Sequence, residues 1–141
     1  MAFGRLASLV SALIVVSALG SAESPQLDVS NFDELVKEAR LPWVVEFYSD
    51  MCESCQEFAP VWHAFADEVE KLGNIRLGRC NVDSKAGSQL ASQLKVMDGG
   101  IPQVVFFPAP HNKPTSTQLR GETQHELKSS LKKLFRGAKD L

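Results

Sequence analysis

The pair Cys52–Cys55 falls where a strand pattern gives way to a helix pattern, and that junction limits the chain to folds in which a buried strand feeds straight into a helix. Trp43 to Ser49 is apolar and β-branched with one acid, Glu46, and reads as a buried strand. From Cys52 to Leu72, Phe58, Val61, Trp62, Phe65, Ala66 and Val69 recur at helical spacing, with Pro60 inside the pattern predicting a kink. Open α/β sheets place their sites at the exits of such strands.

The remaining elements extend this order. Asn31 to Arg40 reads as a helix through Phe32, Leu35, Val36 and Ala39, with Ser30 as its expected N-cap and Asp33 completing a weak capping box. Pro42 stops it. Ile75 to Val82 is a second strand, Ala86 to Val96 a shorter helix, and Gln103 to Phe107 a third strand ended by Pro108 and Pro110. Ser116 to Arg120 is an edge strand closed by Gly121, and Glu122 to Phe135 a last helix with Leu127, Leu131, Leu134 and Phe135 on one face. After the first helix the order is β-α-β-α-β-β-α. The two βα units imply parallel strands, and the short β-β link implies an antiparallel hairpin. The expected class is α/β, a mixed central sheet with helices on both faces.

The N-terminus has a different character. Met1 to Arg5 carries one positive charge, Leu6 to Leu19 carries none, and Gly20, Ser21 and Ala22 are small. This is the pattern of a secretory signal over residues 1–22, leaving 23–141 as a single domain. The apolar run of about 14 residues is short of the roughly 20 that span a bilayer, so no stable membrane span is expected; a membrane-tethered form is the rival. A secretory route permits disulfides. Three cysteines, at 52, 55 and 80, are too few and too odd in number for a disulfide scaffold, so the tight pair points to chemistry. A net charge of −2 and no basic stripe interleaved with aromatics argue against a nucleic-acid partner. A zinc site is the competing use of the pair. It needs four ligands, and Cys80 and the three histidines do not repeat the tight spacing.

Residues 43–60, Trp-Val-Val-Glu-Phe-Tyr-Ser-Asp-Met-Cys-Glu-Ser-Cys-Gln-Glu-Phe-Ala-Pro, resemble the active-site segment of thioredoxin-like domains, and most nearly the catalytic domains of the protein disulfide isomerase family. Asn-Phe-Asp-Glu-Leu-Val at 31–36 resembles that family's first helix, Ile101-Pro102 before Gln-Val-Val-Phe-Phe its cis-proline strand, and Gly121 a glycine after its last strand. The resemblance covers roughly residues 26–136. It implies a thioredoxin-like fold and a secretory-pathway thiol–disulfide oxidoreductase, in the endoplasmic reticulum lumen or secreted. The C-terminal Ala-Lys-Asp-Leu lacks the full four-residue retention signal. The partners implied are client proteins bearing thiols or disulfides, and a redox partner or glutathione. No cofactor is needed, since the cysteine pair itself carries two electrons.

The resemblance also implies roles. Cys52 is the nucleophile, a thiolate favoured by the helix N-terminus, and Cys55 the resolving thiol that forms the redox-active disulfide with it. Glu46 is a buried acid beneath Cys55 that takes and returns its proton; the alternative is an edge residue facing water. Pro102 is the cis-proline against the disulfide, with Ile101 offering its backbone to substrate; the alternative is a trans proline opening a strand. In the isomerases an arginine near this loop approaches the active site; Arg120 stands in a different register, and a solvated arginine is expected instead. Arg79 is a candidate partner for Glu46, and Cys80 a small hydrophobe of the core. His63 is expected at the surface, and His111 and His125 have no assigned partner. Three departures stand out: Met51 where the family has Trp, Glu53-Ser54 where it has Gly-His, and about two extra residues around Asp98-Gly99-Gly100. Glu53 disfavours the Cys52 thiolate, which points to a reductase or isomerase rather than a strong oxidase. A redox-weak chaperone or client-binding module is the alternative function.

Overall fold

The computed structural model describes residues 24–109, 116–119 and 121–141. The expected leader at 1–22, His111 and Arg120 lie outside them. Four strands, β1 (Trp43–Tyr48), β2 (Arg76–Asn81), β3 (Gln103–Phe107) and β4 (Thr117–Leu119), form one sheet in the order β2-β1-β3-β4. Three helices, α1 (Glu53–Glu70), α2 (Lys85–Gln93) and α3 (Gln124–Leu134), complete the frame.

β1 is central and every one of its residues is buried. Side-chain alternation divides the strand between two cores. Val44 joins Trp62, Phe65 and Val69 of α1 and Leu127 and Leu131 of α3 on one face. Trp43, Val45 and Phe47 join Phe32, Val36 and Leu90 on the other. Helices therefore cover both faces, as the apolar run with no polar alternation requires.

Two expectations are corrected. β1 and β2 are parallel, but β3 runs antiparallel to β1 rather than continuing a parallel series. The second crossover does not end beside β2. After α2 the chain takes a left-handed step at Lys95 and a 3-10 turn at Val96–Gly99, and enters on the far side of β1 in the opposite sense. The first helix is also shorter than 31–40. It is a wide turn over Asp33–Lys37, with the Glu38 N–H donating to the Asp33 carbonyl at 3.1 Å, and its N-cap is Phe32 with no side-chain cap. Ser30 instead donates its N–H and hydroxyl to Asp28, so the short polar residues close a turn before the helix. The wider turn keeps Phe32 and Val36 buried and turns Leu35 outward.

α1 runs as one element through Pro60. The missing proline N–H leaves one carbonyl unserved a turn earlier, at Gln56. Both residues are exposed, so water can satisfy it.

The start of α2 is locked onto the end of β2. Ser84 caps the helix by accepting from the Gly87 N–H at 2.9 Å and donates to the Asn81 carbonyl at 3.1 Å. A Cβ on Gly87 would run into that Asn81 carbonyl oxygen and stand 2.8 Å from Ser84 Oγ. Gly87→Ala would gain up to about 1 kcal/mol of helix propensity. The overlap with backbone outweighs this, at about 1–3 kcal/mol or more. A net loss of stability is expected, read as a lower urea midpoint at unchanged slope; an equal or higher midpoint would show that the β2–α2 junction yields freely.

Candidate active site

The chain leaves β1 at Tyr48 and enters α1 at Glu53, five residues later. Cys52 is the N-cap of α1, with extended backbone (φ −93°, ψ 116°). Its sulfur accepts from the Cys55 N–H at 3.2 Å, taking the place a capping oxygen usually fills. The pair is joined as a disulfide with the two Cα atoms 5.2 Å apart. Cys52 is partly exposed, whereas Cys55, three residues on, is turned into the protein and buried. Cys52 Sγ also lies 3.2 Å from Ser54 Oγ, whose hydroxyl donates in this oxidised state, and 3.9 Å from the Ile101 carbonyl oxygen.

Ile101 reaches this sulfur at the end of the turn that follows α2. The Ile101–Pro102 bond is cis. Gly100 sits at φ +77°, a conformation open to glycine. Gln103 Nε2 donates to the carbonyls of Val96 and Gly100, both at 3.3 Å, and so ties the turn to the first residue of β3. Asp98-Gly99-Gly100 thus lie in a braced turn.

A polar network that the sequence reading did not identify fixes the loop before Cys52. Asp83, just past β2, accepts from the Ser49 hydroxyl at 2.6 Å and the Asp50 N–H at 2.8 Å. Ser49 Oγ in turn accepts from the Met51 N–H at 3.0 Å. Asn81 Nδ2 donates to the Asp50 carboxylate at 2.7 Å, and Gln56 Nε2 to the Asp50 carbonyl at 2.7 Å. The available signal was the run of short polar residues at the exits of two adjacent strands, Ser49-Asp50 and Asn81-Val82-Asp83-Ser84.

Glu46 is fully buried and follows Val44 onto the face covered by α1, the helix whose first turn buries Cys55. Its register partner on β2 is Arg79, which donates from Nε to Oε2 at 2.6 Å. The guanidinium stacks on Tyr48, 3.9 Å from the ring centroid, and the Tyr48 hydroxyl accepts from Gln26 Nε2 at 3.1 Å. Glu46 Oε1 is buried with no partner among the described residues. Burial raises the Glu46 pKa; the Arg79 hydrogen bond and charge oppose it but do not cancel it.

Cys80 is buried on the opposite face, its thiol donating to the Gly87 carbonyl at 3.5 Å. Burial, with a smaller contribution from Asp28, pushes its pKa up to about 12, so it is inert at neutral pH. His63 and His125 are exposed.

The thioredoxin family model matches residues 23–133. Protein disulfide-isomerase like 2-2 of Arabidopsis thaliana is 35% identical over 91 residues, which are 64% of this chain and 19% of that protein. A protein disulfide-isomerase A6 homolog of Drosophila melanogaster is 34% identical over 123 residues, 84% of this chain and 27% of that protein. The chain therefore spans about a fifth to a quarter of these relatives' length. Among solved structures, the Trx4 domain of ERdj5 superposes with a TM-score of 0.67 at 22% identity, over 79% of this chain and 94% of that one, which shows a shared fold.

The Glu46 pKa has a consequence for stability. A carboxyl whose pKa is raised in the folded state holds its proton more tightly there than in the unfolded chain. Its contribution is therefore largest at low pH and declines as pH rises from the ordinary value of 4.5 toward the folded one. Glu46→Gln keeps an acceptor for Arg79 and removes the buried charge. Its unfolding midpoint relative to wild type should rise between about pH 5 and pH 8; a gap that stays flat or narrows would mean that Arg79 fully compensates the burial.

Proposed function

The chain belongs to the thioredoxin family, and from that premise we propose that it is a secretory-pathway thiol–disulfide oxidoreductase, exchanging disulfides in client proteins through Cys52 and Cys55. The observation that carries this reading is the asymmetry of the pair: one sulfur reachable from solvent at a helix N-terminus, the other buried behind it.

In the reducing direction the Cys52 thiolate attacks one sulfur of a client disulfide and expels the other as a thiolate. Cys55 then loses its proton and attacks Cys52 Sγ, releasing the second client thiolate and closing the Cys52–Cys55 disulfide. Two electrons pass to the client, and a thiol reductant such as glutathione or a redox partner returns them. Glu46 is the group we assign to receive the Cys55 proton. It shares a face with Cys55, it has an unpartnered oxygen, and burial moves its pKa toward neutrality. Arg79 limits that rise and keeps the carboxyl ready to ionise again. Ile101, with its carbonyl oxygen 3.9 Å from Cys52 Sγ, is placed to pair with an extended client backbone, and Pro102 shapes that approach.

The balance between oxidation and reduction turns on Glu53. It is exposed in the first turn of α1 and claims part of the helix N-terminal field that would otherwise favour the thiolate alone. A less favoured thiolate makes the disulfide a weaker oxidant, so the protein reduces or isomerises better than it oxidises. The apolar segment at 6–19 after Arg5 supports a location in the endoplasmic reticulum lumen or outside the cell.

Alkylation at neutral pH should modify Cys52 first and leave Cys80 unlabelled until the chain unfolds, and Cys55→Ala should accumulate disulfide-linked client adducts on non-reducing gels. Early labelling of Cys80, or a Cys55→Ala protein without adducts, would remove the assigned roles. The reduction potential of the pair should lie nearer about −270 mV than about −180 mV, and Glu53→His should raise it. A wild-type value at or above about −180 mV would show that Glu53 does not set the balance.

A further inference from the structure

A groove of about 570 Å³ opens beside the dithiol. Ser54 and Pro102 form its near end, and Ser54 Oγ is 3.2 Å from Cys52 Sγ, so the groove begins at the reacting sulfur. Phe58, Val61, Leu119 and Leu127 contribute its apolar wall, drawn from α1, β4 and α3. Two carboxylates line it as well: Glu57, one turn beyond Glu53, and Glu122 at the approach to α3. Both are exposed, and no lysine, arginine or histidine is among the described lining residues. Asp50 and Glu53, also exposed, extend the acidic surroundings toward Cys52.

We propose that this groove selects client segments in which the reacting cysteine is followed, within a few residues, by a large apolar side chain and then by a lysine or arginine. The inference rests on the disulfide exchange proposed above and names the clients it favours. A client cysteine bonded to Cys52 delivers its following residues into the groove. The apolar side chain leaves water against Phe58 and Val61, the half-buried members of that wall, with the buried Leu119 and Leu127 behind them. The cation meets Glu57 or Glu122, and the acidic surroundings draw such a chain in before contact. An acidic segment of the same shape meets like charges on both sides. Each carboxylate is exposed, so the selection is modest per charge and sensitive to salt.

The test uses the reduced protein and three peptides carrying the same disulfide-linked reporter on one cysteine. They share an apolar residue after it and differ only in Lys, Gln or Glu at the next two positions. At about 20 mM salt the Lys peptide should react about three- to tenfold faster than the Gln peptide, and the Glu peptide slower, with the spread closing at about 300 mM. Glu57→Gln combined with Glu122→Gln should bring the Lys rate down to the Gln rate. Glu34→Gln, a surface change on the first helix, should leave the ratio as it is. Equal wild-type rates for the three peptides, or a Lys preference that survives the double substitution, would overturn the proposal. The same peptides with serine for cysteine and a fluorophore report binding by anisotropy, independent of redox chemistry. If wild type reduces none of the disulfides, the exchange reading falls, and the anisotropy order still decides the groove: Lys above Gln above Glu upholds it, and any other order sinks it.

Discussion

β1 is buried from Trp43 to Tyr48, and the dithiol inherits its position from that burial. A strand covered on both faces cannot slip by one residue without exchanging its two apolar sets, so its register is firmly held. That register puts Glu46 opposite Arg79, and with them the one charged pair in the interior of the sheet described here. It also fixes the height at which the chain leaves the sheet, and hence where Cys52 meets the first turn of α1. Breaking this pair by removing Glu46 would strand a guanidinium that is largely covered; replacing the carboxylate with an amide would not. The stack on Tyr48 and the link to Gln26 show how the arginine is made compatible with its surroundings.

The loop 49–51 is then held from the side rather than from below. Its N–H groups at Asp50 and Met51 do not belong to the sheet ladder or to α1, and each needs an acceptor. Asp83 and the Ser49 hydroxyl supply them. Because Asp83 lies two residues past β2 and Ser84 caps α2, the same few residues join the loop before Cys52 to β2 and to the helix on the opposite face. Met51, 87% exposed, is the projecting side chain of this otherwise fastened loop.

The parts of this arrangement that were legible in the sequence are those that depend on local pattern. The apolar run of β1 around its single acid, the helical spacing of α1 and the C-x-x-C between them each follow from residues within one or two turns of each other. The two-sided layering follows as well, since a strand with no polar face must be covered twice. The reversed direction of β3 was not legible, because it depends on how Lys95 to Pro102 turn, which no period records. The first helix was read too long for a related reason: Leu35 fits a 3.6-residue period, and only packing shows that the turn is wider there. Of the site, the cysteines and Glu46 were visible as exceptions to their surroundings. Asp83 and Ser49 were not, since turn residues of their kind are common and their pairing spans 34 positions. The Glu46–Arg79 contact was open to conjecture from charge alone but needed the parallel register to be fixed.

The difference between the two sulfurs is a product of helix geometry acting on a three-residue spacing. Cys52, outside the helix proper, keeps a free approach from solvent while its sulfur is met by an N–H of the first turn. Three residues later the helix has turned most of the way round, and Cys55 points back at the sheet. The burial that hides Cys55 also makes its thiolate costly, which is why the proposed exchange assigns it a base that is likewise hidden from water. Alternation along β1 admits Glu46 to the sheet face beneath α1 while sending Val45 and Phe47 to the other. Cys80 shows the contrasting case. It is equally buried, but on the face of Val45 and Phe47, where its thiol meets a backbone carbonyl and is driven up to about 12. Burial, with Asp28 adding to it, keeps the Cys80 thiol protonated; the proposed role of Glu46 is what would distinguish Cys55 from it.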